Sequence, residues 1–179
     1  MQTNIIKYGL IAGGVIVLIP VITGWLIGYG PETFKIGEIV GYSTIVLSLL
    51  LIFLAVNEYQ KSNPDMVVSF GKIFFIGLGI SGIAGIMFGI YNLVYVYYIA
   101  PDFMEQYFGY YIENIRNSGA PAEQVSAEIA KLEQEKEIFM NPVVNFLVMF
   151  ATVFMIGIVV SLVSGLVQRS KNQGVNAHG

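Results

Sequence analysis

Four apolar stretches decide what this chain can fold into: Ile5 to Gly28, Ile36 to Val56, Phe70 to Ile99 and Val143 to Val167. Each reaches or exceeds the roughly 20 residues that cross a bilayer as helix. A soluble globule of 179 residues has no interior large enough for all four. Charged residues make up 12% of the chain, about half the share usual in soluble domains. The expected fold is all-α, a polytopic membrane protein of four transmembrane helices with a two-helix extramembrane arm between spans three and four. Residues 1–99 hold spans one to three and short loops, 100–141 the arm, 142–168 the fourth span and 169–179 a polar cytoplasmic tail. No strand is expected.

Composition excludes several chemistries. With no cysteine, the chain offers no disulfide, thiolate metal site, Fe–S cluster or nucleophilic thiol. Its one histidine, His178, is penultimate in a polar tail and reads as a chain end rather than a ligand. A net charge of -3 gives no basic face for nucleic acid and no polybasic cluster for anionic lipid. No Gly-rich phosphate loop follows a strand, and the run Glu133, Glu135, Lys136, Glu137 lacks calcium-loop spacing and reads as a solvated helix face. No catalytic, metal or cofactor-binding residue is assigned, no cofactor is expected, and the chain is read as no enzyme.

The first stretch outruns the roughly 7 to 15 residues of a signal-peptide core. Trp25, Tyr29 and Pro31 stand where a cleavage site would need small residues, so it reads as a retained span. Placing the N-terminus in the cytoplasm puts Lys7, Lys61, Lys72, Arg169 and Lys171 on that side, five against the four of Lys35, Arg116, Lys131 and Lys136. Both termini are then cytoplasmic and the long loop periplasmic.

Within the spans, Pro20 removes a helix hydrogen bond and predicts a kink at mid-membrane. Gly37 and Gly41 give the second span a small-xxx-small face that lets backbones approach. Turn formers at Ser62-Asn63-Pro64-Asp65 mark a loop from Asn57 to Ser69. In the third span Gly77, Ser81, Gly85 and Gly89 recur every four residues as one smooth ridge, and the fourth answers with Gly157, Ser161 and Gly165. Two uses compete for the first ridge: self-association, and the favoured contact with the fourth span. Tyr91, Tyr95, Tyr97 and Tyr98 form an outer aromatic belt, and Asn141-Pro142 reads as an N-cap with proline at the first helical position.

The arm, Ala100 to Asn141, carries eight of the twelve acidic residues and reads as two helices. Met104, Tyr107, Phe108, Tyr111 and Ile115 draw an apolar stripe on the first. Asn117-Ser118-Gly119 stops it, Pro121 starts the second, and Ala122, Val125, Ile129 and Leu132 give that helix a narrower stripe. These stripes pack on each other and on headgroups, or dock a partner.

Glu38 is the acidic residue nearest the hydrocarbon. So close to a helix N-terminus it reads as an interfacial cap or as a contact for an ion or substrate. Deeper in the spans stand Ser43, Thr44, Ser48, Ser81, Thr152, Ser161 and Ser164, whose hydroxyls can hydrogen-bond to their own helix backbone. Asn92 and Asn145, near the outer span ends, should bond a neighbouring helix. The 23 phenylalanines and tyrosines serve helix packing and belts, or line a lipid groove.

The stretches Gly37-Glu38-Ile39-Val40-Gly41-Tyr42, Ser69-Phe70-Gly71-Lys72, Ile99-Ala100-Pro101-Asp102-Phe103-Met104-Glu105, Ser118-Gly119-Ala120 and Asn141-Pro142 resemble a family of small four-span membrane proteins of Bacteroidota. It is catalogued as domain-of-unknown-function family forty-one ninety-nine. The resemblance covers about Lys7 to Arg169 and implies a Gram-negative inner-membrane protein with its long loop in the periplasm. It carries over no catalytic residue, and it implies gene neighbours among membrane glycosyltransferases. The expected function is a non-enzymatic inner-membrane scaffold or accessory subunit that docks a partner through the arm's stripe; the partners expected are the lipid bilayer and a membrane protein or, as a homo-oligomer, further copies of the chain. The rival is a small transporter or lipid carrier of a polyprenyl-linked sugar pathway. It would need an enclosed polar path or lateral groove near Glu38 and Pro20.

Overall fold

In an apolar run without water to serve the backbone, the chain satisfies its own amides as helix, and all four runs do so. The structure, a computed structural model, describes residues 1–28, 30–64 and 68–176, the stretch 169–176 by backbone alone. Tyr29, Asp65 and His178 lie outside the described residues. The helices are α1 (Gln2–Ile27), α2 (Phe34–Leu49), α3 (Leu51–Lys61), α4 (Phe70–Val94), α5 (Phe103–Arg116), α6 (Ala122–Phe139) and α7 (Pro142–Asn176). A 3-10 turn, Pro31–Thr33, leads into α2, and a π-helical turn, Tyr95–Ile99, extends α4. Among the described residues there is no strand. Four segments are long and apolar enough to cross a membrane: Gln2–Ile27, Pro31–Lys61, Phe70–Ile99 and Pro142–Gln168. Pro20 lies inside a continuous α1.

Two boundaries differ from the sequence reading. The second span is two helices, broken at Leu50 without proline or glycine. There the Leu50 amide is shared between the Val46 and Leu47 carbonyls at 3.2 Å each, a local tightening toward 3-10 geometry. The following loop starts at Ser62 rather than Asn57, because Glu58, Gln60 and Lys61 are good helix formers. Ser62 Oγ and Asn63 Nδ2 then close the helix by donating to the Glu58 and Tyr59 carbonyls at 2.9 and 2.8 Å. The fourth membrane-length segment runs from Pro142 to Gln168, and α7 continues beyond it as helix to Asn176. Asn141 caps α7 as its sequence predicts, its Oδ1 accepting from the Val143 amide at 2.9 Å.

The core centres on α4, which packs between α1 and α7. Ile73, Ile76, Ile80 and Ala84 of α4 meet Ala12 and Ile16 of α1, Val153 and Val160 of α7, and Leu49, Ile52 and Val56 of the second span. The two small-residue ridges face one another as reciprocal knobs and holes. A methyl group on Gly77 would overlap the Ser161 side chain, and one on Gly157 would overlap Ser81. Gly85 and Gly89 receive Phe150 and Phe146 from α7, and Gly165 receives Phe70 from α4. The α4 ridge is thus filled within the chain by side chains of α7. Both knob hydroxyls turn back onto their own helix, Ser81 Oγ to the Gly77 carbonyl at 2.8 Å and Ser161 Oγ to the Gly157 carbonyl at 2.5 Å. Neither needs a partner across the interface.

Polar clasps pin both ends of the bundle. At one end Lys7 Nζ bonds both Glu58 carboxylate oxygens at 3.0 and 2.9 Å, Tyr8 donates to Glu58 at 2.6 Å, and Gln168 donates to Asn57 at 2.7 Å. At the other, Asn92 donates to fully buried Asn145 at 2.6 Å and Tyr97 to the Met140 carbonyl at 2.7 Å. The outer surface is strongly apolar, with Trp25, Phe75 and Leu47 all more exposed than buried. Hydrocarbon accommodates such a girdle where water does not.

Replacing Gly157 by Ala should cost about 1–3 kcal/mol, the usual penalty of overpacking a tight contact. The readout is a lower melting temperature with unchanged oligomeric state in detergent. Adding Ser81→Gly, which removes the overlapping side chain, should recover part of the loss. An unchanged melting temperature in Gly157→Ala would contradict the contact.

Candidate functional site

Phe34, Gly37, Glu38, Gly41 and Ile45 recur at helical spacing and share one face of α2. Its two ends are buried, at Phe34 and Ile45, but the stretch between them is open at the glycines. A methyl group on Gly37 or Gly41 would touch nothing within 4 Å. The small-xxx-small pair expected to draw a neighbour close instead hollows out a space, because the facing elements stand too far off to fill it. The result is a partly open cavity of about 540 Å³ bounded by α1, α2, α4, α5 and α7, with α6 at its edge.

Helix α5 closes one side of this cavity. Phe34, 6% exposed, is surrounded by Phe103, Tyr107 and Tyr110 at ring-centroid distances of 5.6, 5.6 and 5.7 Å. One turn further along α2, Glu38 Oε1 accepts hydrogen bonds from Tyr107 OH at 2.6 Å and Tyr111 OH at 2.7 Å. The four-residue spacing of the two tyrosines puts both phenols over the same carboxylate. Phe108 is buried and packs towards Phe139 of α6 at 6.3 Å. The π-helical turn, closed by the Ala100 amide on the Tyr95 carbonyl at 2.8 Å, sets the Tyr95 ring edge-on to Phe103 at 5.3 Å.

The remaining walls are Ile16, Pro20 and Thr23 of α1, Tyr91 and Asn92 of α4, and Val148, Met149 and Thr152 of α7. Lining side chains are predominantly apolar or aromatic, with a few polar groups, the character usual in sites for small molecules. Its charged members are Glu38 and Glu135; no lysine or arginine lines it among the described residues. Glu135 also pairs with Lys131 of α6 at 3.8 Å. No cluster of three or more His, Asp or Glu side chains placed for a metal is found among the described residues.

Burial, then the hydrogen bond to Glu38, raises both phenols: Tyr107 far above the ordinary tyrosine range and Tyr111 to about 12. Both remain protonated donors across physiological pH, so the latch between α5 and α2 is a fixed feature of the fold.

Of the residues singled out in the sequence, Glu38 and Pro20 line the same cavity, joined there by Met104, Tyr107, Phe108 and Tyr111 of the stripe. Ile115 is half-buried outside the lining. The stripe is engaged inside the chain, on Glu38, Phe34 and Phe139. Gly77, Ser81, Gly85, Gly89, Gly157, Ser161 and Gly165 lie in the α4–α7 contact, apart from the cavity. Sequence reasoning missed Phe34, Phe103 and Glu135. Phe34, four residues before Glu38 on one helix face, was the available signal; Glu135 was read as solvated with its acidic neighbours.

A raised tyrosine pKa stabilises the fold fully below the ordinary value near 10, and that contribution is lost as pH climbs through the raised value. Phenolate absorbance should therefore show one transition near pH 12 that Tyr111→Phe removes and Glu38→Gln moves down. A Tyr111 transition at the ordinary value in the folded protein would contradict the latch.

No curated protein and no solved structure matches the chain. One family model, described as protein of unknown function (DUF4199), matches residues 7–170. With its model spanning nearly the whole chain, from Lys7 in α1 to the last turns of α7, the protein belongs to that family.

Proposed function

We propose that this chain is a non-enzymatic, multi-pass inner-membrane protein that takes one amphipathic molecule from the bilayer into the cavity beneath α5, as a small lipid carrier or transporter. The observation that carries this reading is the cavity itself, which joins Pro20 and Glu38 and is kept open by two glycines that no neighbour fills. Its size falls within the range of about 300–1,000 Å³ typical of ligand sites. Apolar walls accept a chain, while Glu38, Asn92, Thr23 and Thr152 offer hydrogen-bonding groups to a head. The five-to-four lysine and arginine asymmetry supports cytoplasmic termini. In that orientation α5 and α6 form a periplasmic arm and the cavity lies toward the periplasmic leaflet.

A second reading, an accessory subunit that docks a membrane-protein partner through the arm, has support in α6, which buries none of its residues. Docking through the stripe on α5 requires Tyr107 and Tyr111 to leave Glu38, so the cavity is the better supported basis.

Protein purified from its native membrane in dodecyl maltoside should retain about one amphiphile per chain, countable by native mass spectrometry. Gly41→Phe places a ring in the open space and should reduce that occupancy about tenfold or more while leaving the melting temperature unchanged. Equal occupancy in both proteins contradicts the reading; a stoichiometric protein partner with no retained amphiphile favours the accessory subunit.

A further inference from the structure

The head group that suits this cavity follows from its charge and its rings. Glu38 and Glu135 are its charged lining residues, and no lysine or arginine among the described residues lines it. Lys35, exposed on α2, is absent from the lining. A phosphate placed against these walls would meet carboxylates and π-faces with no cation to receive it. An ammonium meets the opposite conditions. Tyr107 and Tyr111 both donate to Oε1 of Glu38, whereas Oε2 accepts no hydrogen bond from the described residues. Glu38 is half-buried, within reach of a ligand in the cavity. Tyr107 and Tyr111 stand against it, Phe34, Tyr95 and Phe103 line the same cavity, and aromatic ring faces attract cations. A carboxylate beside a group of aromatic rings is an arrangement that recognises an alkylammonium.

We propose that the cavity selects amphiphiles bearing a primary ammonium head, which Glu38 receives on Oε2 while the alkyl chain runs toward Ile16, Pro20 and Val148. This inference rests on the amphiphile-binding reading above and specifies its ligand class. The two phenols hold the carboxylate in place by occupying its other oxygen, so α5 acts as the wall that positions Glu38 for the head group.

The test uses three chain-matched probes, hexadecylamine, hexadecanol and hexadecyl phosphate, titrated into the full chain in dodecyl maltoside with bound molecules counted by native mass spectrometry. The amine should bind about tenfold more tightly than the alcohol, a typical gain for a charge-assisted contact, and the phosphate most weakly. Glu38→Gln keeps an oxygen acceptor for the phenols and should bring the amine-to-alcohol ratio to about one. Equal affinity for amine and alcohol in the unsubstituted protein overturns the ammonium assignment, and so does a preference that survives in Glu38→Gln. Tightest binding by the phosphate overturns it in favour of a phosphate head. The cavity reading fails separately, and this inference with it, if Gly41→Phe binds all three probes as the unsubstituted protein does. Should Glu38→Gln fail to fold, the comparison of the three probes on the unsubstituted protein still decides.

Discussion

The close approach of α4 and α7 is the contact on which the rest of the bundle depends. Helices in lipid gain little from hydrophobic burial against one another and associate through packing. Here that packing is built from glycine holes and serine knobs whose hydroxyls are satisfied by their own helix. With α7 fixed on one side of α4, α1 lies along the other, where Gly9 and Gly13 accommodate Ile83 and Met87. Three helices are thus held at short range by small residues. The second span has no such contact along Gly37 and Gly41, and the space it leaves is the cavity.

That space persists because its outer side is fastened rather than filled. Phe34 anchors α5 by ring contacts, and Glu38 holds it by two phenol hydrogen bonds. Helix α5 is strongly amphipathic by sequence, and without these contacts its aromatic face would be left on headgroups or in water. The latch therefore links two functions of one segment: it buries the stripe and it walls the cavity. The Asn92–Asn145 bond joins α4 to α7 at this same end, and Tyr97 of the π-helical turn bonds the Met140 carbonyl just before α7, so one of the two polar clasps of the bundle lies beside the site.

Much of this architecture was legible in the sequence because it is written in local patterns. Runs of apolar residues marked the four membrane-length segments, Asn117-Ser118-Gly119 marked the stop of α5 with Gly119 at a φ of 74° just beyond it, and the four-residue ridges marked the α4–α7 contact. What was not legible is which surface each pattern meets. Gly37 and Gly41 have the same spacing as Gly85 and Gly89, yet one pair opens a cavity while the other accepts phenylalanines. Spacing describes a flat helix face and carries no information on what lies opposite. Likewise the stripe on α5 announced an apolar face, but the acceptor that orders two of its tyrosines stands 69 and 73 residues earlier in the chain. The break at Leu50 has no local signal, since the helix is interrupted there without proline or glycine.

The most direct measurement is an experimental density map of the full chain in a lipid nanodisc prepared with its native lipids. Elongated non-protein density should occupy the cavity beneath α5, ending beside Glu38, with Tyr107 and Tyr111 still on its carboxylate. A map in which α2 closes onto its neighbours, Gly37 and Gly41 in contact with another helix and no space left between Pro20 and Glu38, would contradict it.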